Sequence, residues 1–176
     1  MIRTPPVTIR NEEPADASAI RALNKVAFDG PDEADIVDAI REACSSALSL
    51  VAEQEGRVVG HILFSPATVV SVGGDVVGMG LAPMAVESRS QRQGVGSSLV
   101  ETGLEQLRRI GCPFVIVLGH PEYYPRFGFR PASEFGLICQ WAGVPEEAFM
   151  AIILDERKMS GVVGVARYRD EFDEAM

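Results

Sequence analysis

The stretch from Gly94 to Leu118 constrains the fold more than any other part of the chain. Val95, Leu99, Val100, Leu104, Leu107 and Ile110 recur at helical spacing, so Gly94–Ile110 reads as an amphipathic helix. Arg108 and Arg109 fall in its last turn, where cations complement the carbonyl end. Gly111 then offers a cap and Pro113 forbids continuation. Phe114–Leu118 follows as an unbroken apolar run, the pattern of a strand covered on both faces. With a strand before the helix, this is a right-handed crossover that lays two strands parallel.

The flanking segments extend an α/β fold. Val7–Arg10 reads as a strand, and Pro14 opens a helix over Ala15–Phe28 with Ile20, Leu23, Val26 and Ala27 on one face. A second helix covers Glu33–Ala43. Leu48–Glu53, Val58–Val70 and Asp75–Val86 form an antiparallel meander turning at Glu55-Gly56-Arg57 and Gly73-Gly74. Pro66 breaks the middle run and marks an edge or a bulge. Phe127–Phe129 and Ala148–Leu154 are further strands, and the charged tail Asp170–Met176 is expected to fray. The 176 residues predict one domain with a core over about 7–154: a mixed, largely antiparallel sheet flanked by helices.

Charge narrows the partners. The net charge is −9, and it sits on the flanks: residues 1–60 carry 6 basic and 11 acidic side chains, 146–176 carry 4 and 8, and 61–145 carry 6 of each. Nucleic acid and anionic membranes are poor partners for such a chain. A phosphorylated small molecule remains open where local amides or arginines receive it. Cys44, Cys112 and Cys139 lack metal-ligand spacing, and their odd number suits a reducing compartment, so no metal is expected. Met1–Pro6 has no apolar signal segment and no run nears the ~20 residues of a membrane span, which predicts a cytoplasmic protein.

The chemistry concentrates in LAPMAVESRSQRQGVGSSLV, Leu81–Val100. Pro83 cannot donate to a ladder, so it implies a parting of the sheet that frees neighbouring backbone, or a plain irregularity. Gln91-Arg92-Gln93-Gly94-Val95-Gly96-Ser97 then opens the strong helix, whose first-turn amides form a natural anion seat. Two glycines let a phosphate approach closely. A Walker loop is excluded because Gly-Lys-Ser/Thr is absent, and a dinucleotide fingerprint because its third glycine is Leu99.

Gln91-x-x-Gly94-x-Gly96, after a proline-bearing strand, resembles the acyl-CoA motif Q/R-x-x-G-x-G/A of the GNAT superfamily of N-acetyltransferases. GHPEYYPRFGFRP, Gly119–Pro131, is similar to that superfamily's Y-x-x-x-G-F ending, with Tyr124, Gly128 and Phe129 in the matching places. LAPMAV, GHILFSP and EYYPRFGF together most resemble bacterial members whose acceptor is generally unassigned. The resemblance implies a GNAT fold and acetyl-CoA as co-substrate. It also implies a pantetheine arm paired to the backbone of Met84, Ala85 and Val86, and a diphosphate on the amides of Gln91, Arg92, Gln93, Gly94, Val95, Gly96 and Ser97. An acidic protein can hold that anion because the amides are local.

The same resemblance makes Tyr124 the residue for chemistry. A thiolate of pKa ~8.5 leaves when an amine attacks the thioester, and a phenol of pKa ~10 can protonate or hydrogen-bond it. Without the resemblance, Tyr124 reads as a packed loop aromatic. Many members carry a basic glutamate on the strand matching Val76–Leu81, which here has no carboxylate. His61 reads as a core or edge residue. His120 stands as a base or acceptor contact, against a turn role beside Pro121, with a water chain as the alternative. Glu122 and Arg126 flank the tyrosines, and Asp32, Glu33, Asp35 and Asp38 form either a solvated face or a seat for a cationic acceptor. No cysteine lies in the motif, which favours direct attack in a ternary complex. The expectation is acetyl transfer to a small-molecule or protein amine; a catalytically silent acyl-CoA-binding domain is the alternative. Monomer and homodimer both remain open.

Overall fold

A computed structural model describes residues 5–175; Met1–Thr4 of the segment read for a signal, and Met176 of the tail, lie outside them. The strands are β1 (Thr8–Asn11), β2 (Leu48–Gln54), β3 (Arg57–Val70), β4 (Val76–Val86), β5 (Phe114–Leu118), β6 (Arg130–Pro131), β7 (Leu137–Cys139), β8 (Phe149–Ile153) and β9 (Gly164–Arg167). The helices are α1 (Ala17–Ala27), α2 (Asp32–Ala43), α3 (Val95–Arg109) and α4 (Glu156–Met159). The hydrogen-bonded strand order is β1-β2-β3-β4-β5-β8-β6, with β9 joined to β3 and β7 to β9. Two compact units are present. One comprises the residues up to Phe64 with Pro83–Gly103, the other Ser65–Ala82 with Leu104–Glu174.

In the first unit β1, β2 and β3 are antiparallel, with a register shift between Ala52 and Glu53. Alternation along β3 sends its side chains to opposite faces. A Cβ on Gly60 would stand 3.0 Å from Val95 Cγ1 and 3.1 Å from Leu99 Cδ1, so α3 lies directly on that face. Four residues on, a Cβ on Gly103 of α3 would stand 2.3 Å from the Phe64 ring. His61 points the other way and meets Asn24 of α1. α1 opens behind a capping box in which the Asp16 carboxylate takes the Glu13 amide at 2.7 Å. Arg10 grips the same carboxylate through both terminal nitrogens, at 2.7 and 3.0 Å.

In the second unit β4 runs parallel to β5 from Met79↔Val115 to Leu81↔Val117, as the crossover requires, and β8 lies antiparallel on the other edge of β5. Phe114–Val117 are buried throughout, as a strand covered on both faces must be. Pro66 falls between the end of β2 pairing at Phe64 and the start of β9 pairing at Thr68, a gap in the ladder on that side of β3, where a missing N–H has no bond to lose.

Two expectations are corrected. Phe127–Phe129 is not a strand: Tyr124–Phe127 is a 3₁₀ turn, and Gly128 at φ 98° reverses the chain before β6. The tail does not fray, because Asp170–Ala175 forms 3₁₀ turns with Phe172 buried. There the Asp173 carboxylate accepts from Gln140 Nε2 at 2.9 Å and Trp141 Nε1 at 3.1 Å.

Candidate active site

In the first unit the site grows from the end of β4. Pairing of β4 to β5 stops at Leu81, two residues before Pro83, so the strand runs on without that neighbour. Met84 and Val86 are half-buried, while Ala85 is turned inward at 3% exposure. Glu87 N donates to Val59 O at 2.8 Å and ends the strand. Glu87 then pairs with Arg89 at 2.9 Å, and that guanidinium holds its carboxyl below the usual range. β4 itself carries no carboxylate.

The glutamines of the following loop are spent on its own carbonyls. Gln91 Nε2 donates to Val86 O at 3.1 Å and Gln93 Nε2 to Arg89 O at 2.8 Å. Arg92 at φ 59° and Gly94 at φ 84° are both left-handed, and Gln93 between them is not. Alternating backbone of this kind turns successive amides to one side, a nest for anions. The first bond of α3 runs from Ser98 N to Gly94 O at 2.9 Å, so Val95, Gly96 and Ser97 have no acceptor within the helix. A Cβ on Gly94 would meet nothing within 4 Å, so the space beside that residue, at the start of α3, is open. Arg92 is exposed and has no ion-pair partner among the described residues.

In the second unit β5 ends at Leu118, and the His120 carbonyl accepts from the amides of Tyr123 at 3.0 Å and Tyr124 at 3.4 Å. His120 thus closes the turn with its backbone and leaves its ring exposed. Tyr124 is 7% exposed and packs edge-on to Tyr123 and Phe129, with ring centroids 5.1 and 5.6 Å away. Its hydroxyl makes no hydrogen bond among the described residues. Burial pushes that phenol well above its usual value, and Tyr123 adds to the push. Arg126 covers the Tyr123 ring at 4.3 Å and donates to Tyr123 O, so it serves this turn.

His61 is a core residue. Its Nδ1 faces Asn24 Nδ2 at 3.2 Å and its Nε2 faces Ser49 Oγ at 2.9 Å. Ser49 gives its hydroxyl proton to Glu12, which also accepts from Arg41. The serine has one proton to give, so the imidazole carries its own on Nε2. Asn24 Oδ1 and Arg41 Nη2 are buried without a partner among the described residues. The acidic face of α2 is partly spent: Asp35 and Asp38 pair with Arg21, and Asp38 also with Arg41.

Sequence reasoning passed over Tyr168, which follows β9. Its hydroxyl lies 3.3 Å from Leu81 O and 3.4 Å from Ile116 O. No group of three or more His, Cys, Asp or Glu that could hold a metal occurs among the described residues, and no described helix is long and apolar enough to cross a membrane.

The acetyltransferase (GNAT) domain profile matches residues 8–132. The uncharacterized N-acetyltransferase YhbS of Escherichia coli K12 is 39% identical over 166 residues, spanning 94% of this chain and 98% of its own length. YjhQ of the same organism, also an uncharacterized N-acetyltransferase, is 45% identical over 143 residues, covering 80% of this chain and 78% of its own. The crystal structure of E. coli YhbS in complex with CoA superimposes with a TM-score of 0.90 at 37% identity, covering 98% of this chain and 95% of that one. A GNAT acetyltransferase from Brucella melitensis in complex with acetyl-CoA gives 0.77 at 34% identity over 96% and 99%.

Proposed function

Because the chain belongs to the GNAT acetyltransferase family, we propose that it transfers an acetyl group from acetyl-CoA to a primary amine by direct attack in a ternary complex. The observation that carries this reading is the left-handed loop at Arg92 and Gly94, which opens into the unpaired first turn of α3. It fits a diphosphate: the amides are free of helical acceptors, the space over Gly94 is open, and the helix end is positive. Related chains are crystallised with CoA and acetyl-CoA.

Acetyl-CoA supplies the thioester. The Gln91 amide is already given to Ser88 O at 3.4 Å, so the amides of Arg92–Ser97 would hold the diphosphate, and the backbone of Met84, Ala85 and Val86 the pantetheine arm in the manner of an added strand. The Val86 carbonyl is already taken by Gln91, which leaves the groups before it to pair. As the amine nitrogen bonds to the acyl carbon and the carbon–sulfur bond breaks, negative charge gathers on sulfur. Tyr124 donates its hydroxyl hydrogen bond to that charge. A phenol pushed upward by burial surrenders its proton less readily than a thiol does, so it stabilises the sulfur and remains a phenol. The proton that ends on sulfur derives from the amine, by way of water or the exposed His120.

A thermal-shift series tests the ligand. CoA and acetyl-CoA should raise Tm, since a ligand bound only by the folded state stabilises by mass action. NAD and ATP should do much less at equal concentration. Equal shifts from all four would mean generic anion binding and remove the reading.

A further inference from the structure

Tyr168 sits where β4 and β5 part, and no step of the reaction above uses it. It is 5% exposed, and a Cβ on Gly80 would stand 2.5 Å from its Cε1, so only glycine lets the ring lie flat on β4. Its hydroxyl reaches one carbonyl from each strand, Leu81 O on β4 and Ile116 O on β5, at 3.3 and 3.4 Å. Those carbonyls belong to the last rungs of the parallel ladder, which ends at Leu81↔Val117. Burial pushes the phenol far upward, and the backbone of Leu118 pulls against it.

The tail clamps this ring in place. Trp141 stacks on it at 5.6 Å and Phe172 tilts against it at 5.1 Å. Tyr168 N donates to Gln140 Oε1 at 2.6 Å, and Asp173 holds Gln140 and Trp141 together. A ring serving only as packing would need no hydroxyl, since phenylalanine fills the same space.

We propose that Tyr168 is a positioning residue that fixes where β4 leaves β5, its hydroxyl standing in for the next direct amide-to-carbonyl rung. The proposal rests on the reading of Met84–Val86 as the pantetheine seat, because backbone still paired to β5 has nothing to offer a ligand. Without the hydroxyl, Leu81 O and Ile116 O lose a shared donor, and the point of parting is no longer set.

Calorimetry with two ligands tests this. CoA carries the pantetheine arm; 3′-phospho-ADP is its nucleotide half alone. In Tyr168→Phe the Kd for CoA should rise roughly tenfold, while that for 3′-phospho-ADP stays within about twofold. A general loosening of the fold would weaken both alike, so equal losses, or no loss for either, overturn the proposal. Gly80→Ala keeps the hydroxyl but drives the ring off the strand, and should reproduce the selective loss. It decides the matter if Tyr168→Phe does not fold. If the unmodified chain binds CoA no tighter than 3′-phospho-ADP, the seat on β4 is refuted and this proposal with it. If it discriminates and neither variant loses that discrimination, the seat stands and the role of Tyr168 is refuted.

Discussion

Gly119 and Tyr124 are matched in shape: a Cβ on Gly119 would stand 2.4 Å from Tyr124 Cε2 and 3.0 Å from Cδ2. The chain can therefore lay the tyrosine ring across the end of β5 only where residue 119 has no side chain. This bare step holds the phenol, with its hydroxyl unpaired, in one orientation. Gly119→Ala should tilt the ring away and lower kcat by at least tenfold, with a loss of about 1–3 kcal/mol in stability from overpacking. Steady-state kinetics beside urea unfolding would check it. Unchanged kcat in a folded variant would mean that the orientation of Tyr124 does not matter to turnover.

Tyr124→Phe tests the hydroxyl itself. The ring and its edge contacts with Tyr123 and Phe129 are retained, so the fold should lose little. Removal of one hydrogen-bond donor to charge that develops in the transition state typically costs ~10²–10³ in kcat. CoA affinity should hold, because the interaction forms only as sulfur leaves. Tyr123→Phe should leave kcat near its original value. Wild-type turnover in Tyr124→Phe would transfer the role to water or another donor.

Gly94→Val tests the anion seat from two directions. The position has room for a Cβ, so the cost to the fold comes from φ 84°, which a β-branched residue adopts only under strain of about 1–3 kcal/mol. The larger effect should fall on binding, since the added methyls occupy the open space at the start of α3. CoA affinity should drop by more than tenfold in a variant that circular dichroism shows to be folded. Intact affinity would locate the diphosphate elsewhere.

What the sequence disclosed and what it hid both have physical causes. The period of Val95 to Leu107 and the unbroken run Phe114–Leu118 are long, strongly patterned signals, and α3 and β5 match them within a residue. The left-handed backbone at Gly94 suits a residue that takes positive φ at little cost, and the end of β4–β5 pairing at Leu81 suits Pro83, since a proline inside a strand must be accommodated. β7 and β9 are three and four residues long, and Gly164-Val165-Ala166-Arg167 has no alternation to betray a strand. Their existence depends on partners distant in sequence. The tail misled through its charge: two aromatic anchors, Tyr168 and Phe172, outweigh the acids around them and dock it. That four-residue aromatic spacing was the one available clue to Tyr168.

The last prediction concerns His61 and acid. The ring is fully buried between Asn24 and Ser49, and burial, assisted by the nearby Arg41 charge, pushes its pKa down to about 3. In the unfolded chain it returns to about 6.5. Below that value the unfolded state takes up a proton that the folded state refuses. The contribution of His61 to stability is therefore whole above about pH 6.5 and lost as pH falls from there towards 3. The slope is roughly 1.4 kcal/mol per pH unit, so about 2 kcal/mol should be gone by pH 5. The carboxylates held low by arginines, Asp16 beside Arg10 and Glu171 beside Arg169, act in the same direction but only below the ordinary carboxylate range. The interval from about pH 6.5 to 5 thus isolates the histidine. His61→Gln presents an amide to Asn24 and Ser49 and cannot titrate. Urea midpoints measured across that interval should fall with acid in the original chain and stay nearly level in the variant. Parallel slopes in the two would assign the acid sensitivity to another group and show that His61 is not held neutral by the core.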